Sequence, residues 1–477
     1  MPITHTRWLA ASLALVFVIA AATHAAGQVV NLYYKEFRKD GRIYVFNDPG
    51  AAERFEKSGE TGTGLTRVGV GPGGETVFAD NETALELFFF KYNISEKVER
   101  PRPPTQRIEW RDGKTRITTD LAYLEISNRV QLRYSHEFPD DTIKLPGTSE
   151  AGDSKGSFRI RRAKMKFEGW FWKQNNLTYE LQLNWPDLNT ANLGQFLEDA
   201  NIAWDPAGKG KFRVVLGQFK APFGRQELTS SGSQSFVDRS LVSNLYSPAR
   251  QLGVAVSGSV WSNRLEYRAG MFNGNGRTQA LNDNDEFMYV GRLMWQPNAN
   301  QAIAQRAWVS GALYSEADFE STTVPLYAIG VQALKNSLYR TTSTATNNFD
   351  VVQFGVDGIF KFKGFCGVGE WYWREQKREA PLASAASTFE QPGWFVQAGQ
   401  MLNKQRTIEA AFRYGTRDPN DTVDGDDVDE IRGAVSYYYR RHTLKLQADF
   451  GKVEQGLGAG KGSRRDNEFR VQAQFIF

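Results

Sequence analysis

From residue 121 to the C-terminus, apolar and polar side chains alternate along the chain. Glu125, Ser127, Arg129, Gln131 and Arg133 interleave with Leu124, Ile126, Val130, Leu132 and Tyr134. At the far end Glu468, Arg470, Gln472 and Gln474 interleave with Phe469, Val471, Ala473, Phe475 and Phe477. A period of two puts successive side chains on opposite faces of a strand. Strands of a soluble sandwich alternate as well. Here, however, the apolar face persists over about ten residues per strand, in many strands, with charges opposite, which suits a barrel with lipid outside and water inside. The pattern predicts an all-β fold, an antiparallel transmembrane barrel of about sixteen strands. They fall near 121–138, 157–172, 175–187, 195–206, 210–220, 250–262, 263–272, 286–297, 303–315, 348–362, 364–376, 392–402, 405–416, 428–440, 441–452 and 466–477.

The connections support this reading. Lys173-Gln174, Ser262-Asn263, Asn403-Lys404 and Arg440-Arg441 are tight turns, whereas 139–156, 221–249, 316–347 and 377–391 are long. Short periplasmic turns and long outer loops have this asymmetry, and an even strand count puts the C-terminus on the periplasmic side. Trp170, Trp172, Trp204, Trp261 and Trp295 fall beside short turns, and Trp185, Trp371, Trp373 and Trp394 beside long ones. Two aromatic girdles are expected from that placement. Phe477 ends an alternating strand, as in chains read by the outer-membrane insertion machinery.

The first hundred residues follow another pattern. Residues 1–25 read as a secretory signal peptide, with Arg7 in the basic region, an apolar run over 9–22 and Thr23-His24-Ala25 at the cleavage site. Residues 26–99 predict a small periplasmic α+β domain. Strands over 33–37 and 42–46 lead to a helix over 51–57, capped by Asn47 or Asp48, with Pro49 in its first turn. Strands over 66–70 and 75–79 flank Gly71-Pro72-Gly73-Gly74 and lead to a second helix, capped by Asp80 or Asn81. GRIYVFNDPGAAERF, from position 41, aligns with GETVFADNETALELF, from position 74, so the domain reads as two ββα units. RPRPP at 100–104 opens an extended linker over 100–117, ahead of the barrel at 118–477.

Composition narrows the function classes. Mean hydropathy is negative, and beyond the leader no run of twenty apolar residues exists, which excludes helical membrane spans but not a barrel. A net charge of +4 is too small to imply nucleic acid. The single Cys366 excludes an intramolecular disulfide and reads as a packed residue within a strand. His136 and His442 are the histidines left after cleavage and sit at opposite ends of the barrel, which argues against a Ser-His-Asp site. GLGAGKGS at 456–463 and Gly69, Gly71 and Gly74 mimic phosphate loops, yet neither opens a helix. The acidic run 418–430 lacks EF-hand spacing and reads as a solvated loop rather than a calcium site. No enzyme and no cofactor are implied.

Chemistry concentrates in two stretches. Residues 221–249 break from a strand at Pro222 and Gly224 and run through about twenty-five polar and basic residues, a length that is usually functional. Such a loop can fold into the mouth of a barrel and narrow it. Lys220, Arg225, Arg239 and Arg250 lie on it or at its edges, against Glu227 and Asp238. Arg159, Arg161, Arg162 and Lys164 form the densest basic cluster elsewhere. Guanidinium forks match pairs of phosphate oxygens, and rings of such cations select anions in a narrow pore. Along the wall as a whole, acids are almost as numerous as bases.

GQFKAPFGRQELTSS, followed by FVDRS, resembles the signature of the phosphate-selective porin O/P family of Gram-negative outer membranes. FRIRRAKMKFEG at 158–169 extends a looser likeness, which runs from about residue 118 to the end. The N-terminal domain departs from the family, in which a shorter segment is expected. The resemblance implies an outer-membrane homotrimer in bilayer and lipopolysaccharide that passes phosphate or polyphosphate by diffusion. Arg161, Arg162, Lys164, Lys220, Arg225, Arg239 and Arg250 would then serve as anion-binding residues. Two alternatives stay open: a weakly selective general porin, and a barrel-anchored interaction protein whose residues 26–99 bind peptidoglycan or another periplasmic partner.

Overall fold

The computed structural model describes residues 33–95, 107–111, 113–140, 154–172, 176–185, 196–208, 210–277, 282, 284–297, 314–341, 346–378 and 387–477. The expected signal peptide and the RPRPP stretch lie outside them. The chain divides into two compact units between Pro103 and Pro104.

In the first unit β1 (Lys35–Lys39) and β2 (Arg42–Phe46) lead to α1 (Pro49–Ser58), and β3 (Leu65–Arg67) and β4 (Thr76–Ala79) to α2 (Glu82–Lys91). The sheet runs β1-β2-β4-β3, with β2 and β4 parallel at its centre. Equivalent positions of the two repeats cap the helices: Asp48 accepts from Gly50 N at 2.6 Å and Asn81 from Ala84 N at 2.8 Å. Asp80 instead bridges the repeats, accepting from the backbone N–H of Asn47 and of Asp48 at 2.9 Å. Strand alternation puts one helix on each face. Ile43, Val45, Val77 and Ala79 pack with Leu85, Phe88 and Phe89, while Phe46, Tyr44 and Phe78 pack with Phe55.

The second unit opens with a hairpin, β5 (Arg107–Arg111) and β6 (Lys114–Thr118), in the stretch expected as linker. Sixteen antiparallel strands then close a barrel. They are β7 (Ala122–Phe138), β8 (Lys155–Phe171), β9 (Leu177–Asn184), β10 (Leu197–Trp204), β11 (Arg213–Lys220), β12 (Arg250–Val260), β13 (Leu265–Phe272) and β14 (Met288–Trp295). Eight more follow: β15 (Leu326–Thr341), β16 (Thr346–Phe362), β17 (Phe365–Arg378), β18 (Thr388–Met401), β19 (Ile408–Arg417), β20 (Val428–Arg440), β21 (Leu444–Gly456) and β22 (Ser463–Ile476). β22 pairs with β7 from Asn467↔Phe138 to Ile476↔Arg129, which seals the cylinder.

Burial is inverted relative to a soluble protein. Arg133, Arg413, Asp357, Gln474 and Glu409 are buried, whereas Leu216, Ile202, Phe354, Val396 and Phe450 are exposed. Charged side chains therefore face inward and an apolar band faces outward, the arrangement of a membrane barrel. Trp172, Trp204, Trp261 and Trp295 are exposed at the short-turn end, and Trp185, Trp371 and Trp394 at the other. Trp170 is an exception: it sits opposite the lumen-facing Tyr123 and stacks on it, with centroids 6.4 Å apart.

One strand falls elsewhere than expected. Most of 303–315 lies outside the described residues, Tyr314 and Ser315 are not in a strand, and the ninth strand is β15 at Leu326–Thr341. The long connection between β14 and β15 accordingly spans 296–325 at the short-turn end. A charged face marks most strands, but β15 turns Leu326, Ala328, Gln332 and Leu334 inward. Its lumen side is nearly as apolar as its lipid side because it packs against an apolar cluster inside the barrel. That cluster includes Phe223, Tyr246, Phe272, Met294, Ile359 and Tyr372.

Candidate functional site

The internal apolar cluster exists to seat the 221–249 loop. The loop leaves β11 at Lys220 and returns to β12 at Arg250, and its neck is closed by Ala221 N donating to Ala249 O at 3.0 Å. Gly224 makes the inward bend at φ 78°, a left-handed conformation, and a Cβ there would come 2.8 Å from the Tyr372 hydroxyl. Two short helices follow, α3 (Arg225–Leu228) and α4 (Leu241–Tyr246), the second capped by Ser240, which accepts from Ser243 N at 2.9 Å. Phe223 and Tyr246 both stack on Tyr372, with centroids 5.8 and 5.1 Å away.

Polar groups of the distant wall hold the rest of the loop. Arg225 reaches Asp357 at 2.8 Å, and Gln226 N donates to Glu370. Val237 N donates to Asp449 at 3.1 Å and Leu241 N to Glu430 at 2.9 Å. Ser235 Oγ donates to Glu409 at 3.1 Å. Residues 314–325, which lead into β15 from the opposite end, meet the loop. Glu316 N donates to Ser233 O at 2.8 Å, while its carboxylate accepts from Ser235 N at 2.7 Å and from Gln226 Nε2 at 3.1 Å. His442 Nε2 donates to Glu316 O at 2.9 Å. The loop and residues 314–325 together contact the inner wall from β16 to β22.

An open cavity of about 840 Å³ is left between the loop and the wall of β7 to β13. Arg129, Arg161, Arg162, Lys164, Lys166, Arg213, Lys220, Arg239, Arg250, Arg268 and Arg277 line it, against Glu180, Glu198, Asp199, Glu227 and Glu266. Eleven cations less five carboxylates leave a surplus of six positive charges. Six of the seven residues singled out by sequence stand on this lining. Arg225 does not: it is buried on the other side of the loop, between Asp357 and the Met294 sulfur 3.2 Å away. Its role is to pin the loop, because burial in the apolar cluster keeps it from solvent.

Adjacent residues of a strand point to opposite faces, yet Arg161 and Arg162 both line the lumen. A bulge makes this possible. Gln131 pairs with Arg162 and Leu132 with Ile160, so Arg161 is an extra residue without a register partner. Both guanidinium groups lie near Asp238, at 3.8 and 3.6 Å. That carboxylate also receives Arg133 at 2.6 Å and Arg470 at 3.4 Å, so one negative charge is shared among four positive ones. By contrast, Lys164 pairs with Glu198, and Arg250 holds Asp199 through two bonds of 2.9 and 2.8 Å. Arg239 reaches Glu227 at 2.9 Å. Lys220 donates to the Glu227 and Thr229 carbonyls.

Deleting Arg161 should rejoin the pairs on either side as a regular ladder. We expect unchanged heat-modifiable migration on gels and a loss of anion preference equal to that of Arg161→Ala, measured by reversal potential. Unfolding of the deletion variant would mean that the bulge is structural.

A closed barrel with an inserted third loop has many sequence solutions, but this chain also carries a family profile. Residues 134–477 match the phosphate-selective porin O and P profile. The chain belongs to that family. It is a porin-type outer-membrane channel. No curated protein sequence matches it significantly. Among solved structures, it is similar to an anion-selective porin from Comamonas acidovorans, with 11% identity over 75% of this chain and 100% of that one and a TM-score of 0.49. A loop-deletion form of OmpT from Vibrio cholerae gives 13% identity, the same coverages and 0.48. The channel DcaP of Acinetobacter baumannii gives 10%, 75% and 97% coverage and 0.48.

Alternation along β7 and β8 places Arg129 and Lys166 on the inward face, but sequence reasoning did not single them out as anion-binding residues, although both line the cavity. Arg277 lies in the loop after β13, 3.9 Å from Glu198, and no local signal marks it. Glu316 fell in the long outer loop expected at 316–347, whereas it precedes β15 on the connection from the short-turn end and meets the 221–249 loop.

Proposed function

We propose that this porin passes small anions, phosphate or polyphosphate among them, through the cavity beside the loop. The surplus of six positive charges on its lining carries the reading. Arg161 and Arg162 support it further, because they share the single carboxylate of Asp238 with Arg133 and Arg470. Arg161, Arg162, Lys164, Lys220, Arg239 and Arg250 are the anion-attracting residues, with Arg225 positioning the loop. Reversal potentials across a planar bilayer test this. A potassium chloride gradient should give an anion-selective sign, and phosphate should block or replace the chloride current. A cation-selective sign would overturn it. The weakly selective alternative draws on the paired charges elsewhere in the lumen, such as Arg432 with Asp449 at 3.0 Å.

Family resemblance further supports a homotrimer, with the short-turn end and residues 26–99 in the periplasm. Removing residues 26–105 is expected to leave a heat-modifiable barrel, since the two compact units of the chain part between Pro103 and Pro104. Loss of that migration would count against an autonomous barrel, and a rise in conductance would assign the domain a plugging role.

A further inference from the structure

We propose that the hairpin β5–β6, which precedes the matched family region, is part of the membrane wall and rests on phospholipid acyl chains at the short-turn end. It continues the barrel's own inside–outside code. β6 pairs with β7 so that Arg116 faces Glu125 and Ile117 faces Leu124. β5 pairs with β6 so that Glu109 faces Arg116, Ile108 faces Ile117 and Trp110 faces Thr115. Residues opposite each other share a face. One face of the three strands is therefore charged and joins the lumen side, where Arg116 Nε holds Glu125 at 2.8 Å and Lys114 holds it as well. The other face carries Ile108, Trp110, Ile117, Leu124 and Ile126, in line with the lipid-facing band of β7.

The seam fixes where this extra wall stands. β22 covers β7 only as far as Arg129, and β6 takes over beside β7 from Ser127 to Tyr123. Phe477 exchanges hydrogen bonds with Asn128 between them, at 2.9 and 2.6 Å. Gly113 turns the hairpin directly beneath the end of β22: at φ 73° it adopts a left-handed bend, and a Cβ would lie 2.6 Å from Ile476 O. Ile108 and Trp110 are 65% and 67% exposed, too apolar for a face that continues into lipid to be left in water. Tryptophan beside the end of a strand suits the headgroup boundary.

Fluorescence quenching in proteoliposomes of the full-length protein tests this. In a Cys366→Ser background, Ile108→Cys and Glu109→Cys are each labelled with an environment-sensitive fluorophore. Trp110→Cys serves as a second outward position, and heat-modifiable migration confirms folding of each variant. Probes at 108 and 110 should be quenched several-fold more than the probe at 109 by phosphatidylcholine bearing a nitroxide near the headgroup. Iodide should quench in the reverse order. Equal iodide quenching at all three positions would overturn the proposal by placing the hairpin in water. Shielding of 108 and 110 from both quenchers would overturn it too, by placing protein over that face.

Discussion

Replacing Arg161 and Arg162 together by glutamate is expected to abolish the anion preference of the channel. The two changes subtract four charges from the surplus of six on the cavity lining and leave two. Location matters more than the total. Lys164, Arg239 and Arg250 already face carboxylates of their own, whereas Arg161 and Arg162 share Asp238 with two further arginines. They therefore contribute a large share of the unbalanced field. A unit charge at ~4 Å acts with about 1 kcal/mol in water and about 4 kcal/mol at an intermediate dielectric, and a water-filled cavity walled by protein lies between these limits. The double variant should thus lose more than about tenfold in anion-to-cation permeability. Reversal potential in a potassium chloride gradient measures it. Retention of the parent value would place selectivity elsewhere in the lumen. The matching change at Arg225 should leave selectivity alone and perturb the loop.

The barrel was legible because lipid and water impose opposite demands on alternate residues, and β7, β20 and β22 obey them over most of their length, with exceptions such as Asn128 and Ala434. Legibility failed where the lumen is not watery. β15 faces the apolar cluster that seats Phe223 and Tyr246, so its inward residues include Leu326, Ala328 and Leu334, with uncharged Gln332 and Asn336 between and beyond them, and the charge signal vanishes. The constriction loop could be read from its length and its basic residues, but not which of those residues meet solvent. Arg225 and Arg239 look alike in sequence, and only the fold shows that one meets Asp357 in an apolar setting while the other lines the cavity. Arg161 and Arg162 posed the reverse problem. Strict alternation would send one of them into lipid, and a one-residue bulge, which has no clear sequence mark, brings both inside. The linker expected before the barrel failed for a simpler reason. Short strands such as RIEWR and KTRIT alternate over too few residues to stand out until β7 offers them an edge.

Asp357→Ala is expected to release the constriction loop while the barrel stays closed. Asp357 sits between Arg225 and Arg292, at 2.8 and 2.9 Å, and all three are almost fully buried. Taking away the carboxylate removes the ion-pair partner that Arg225 and Arg292 share, and removing one partner from a buried ion pair costs about 3–5 kcal/mol. The strand ladder does not use this side chain, since Asp357 pairs with Gly330 and Glu370 through backbone groups alone. The cheapest relief is for Arg225 to swing toward the cavity, carrying Gln226 away from Glu370 and Glu316. Single-channel conductance should rise and fluctuate, and trypsin should cut at Arg225 in detergent-solubilised protein whose heat-modifiable migration is intact. A compensating variant separates charge burial from loop pinning. Arg225→Met, Asp357→Leu and Arg292→Met together remove all three charges of the cluster, and such replacements often recover or exceed the parent stability. Thermal stability should return in that triple variant. Conductance should stay raised, because an apolar contact lacks the directed bonds that hold the turn at residue 225 against the wall. If the triple variant restores the parent conductance as well, packing of Phe223 on Tyr372 is enough to hold the loop, and the ion pair is not its pin.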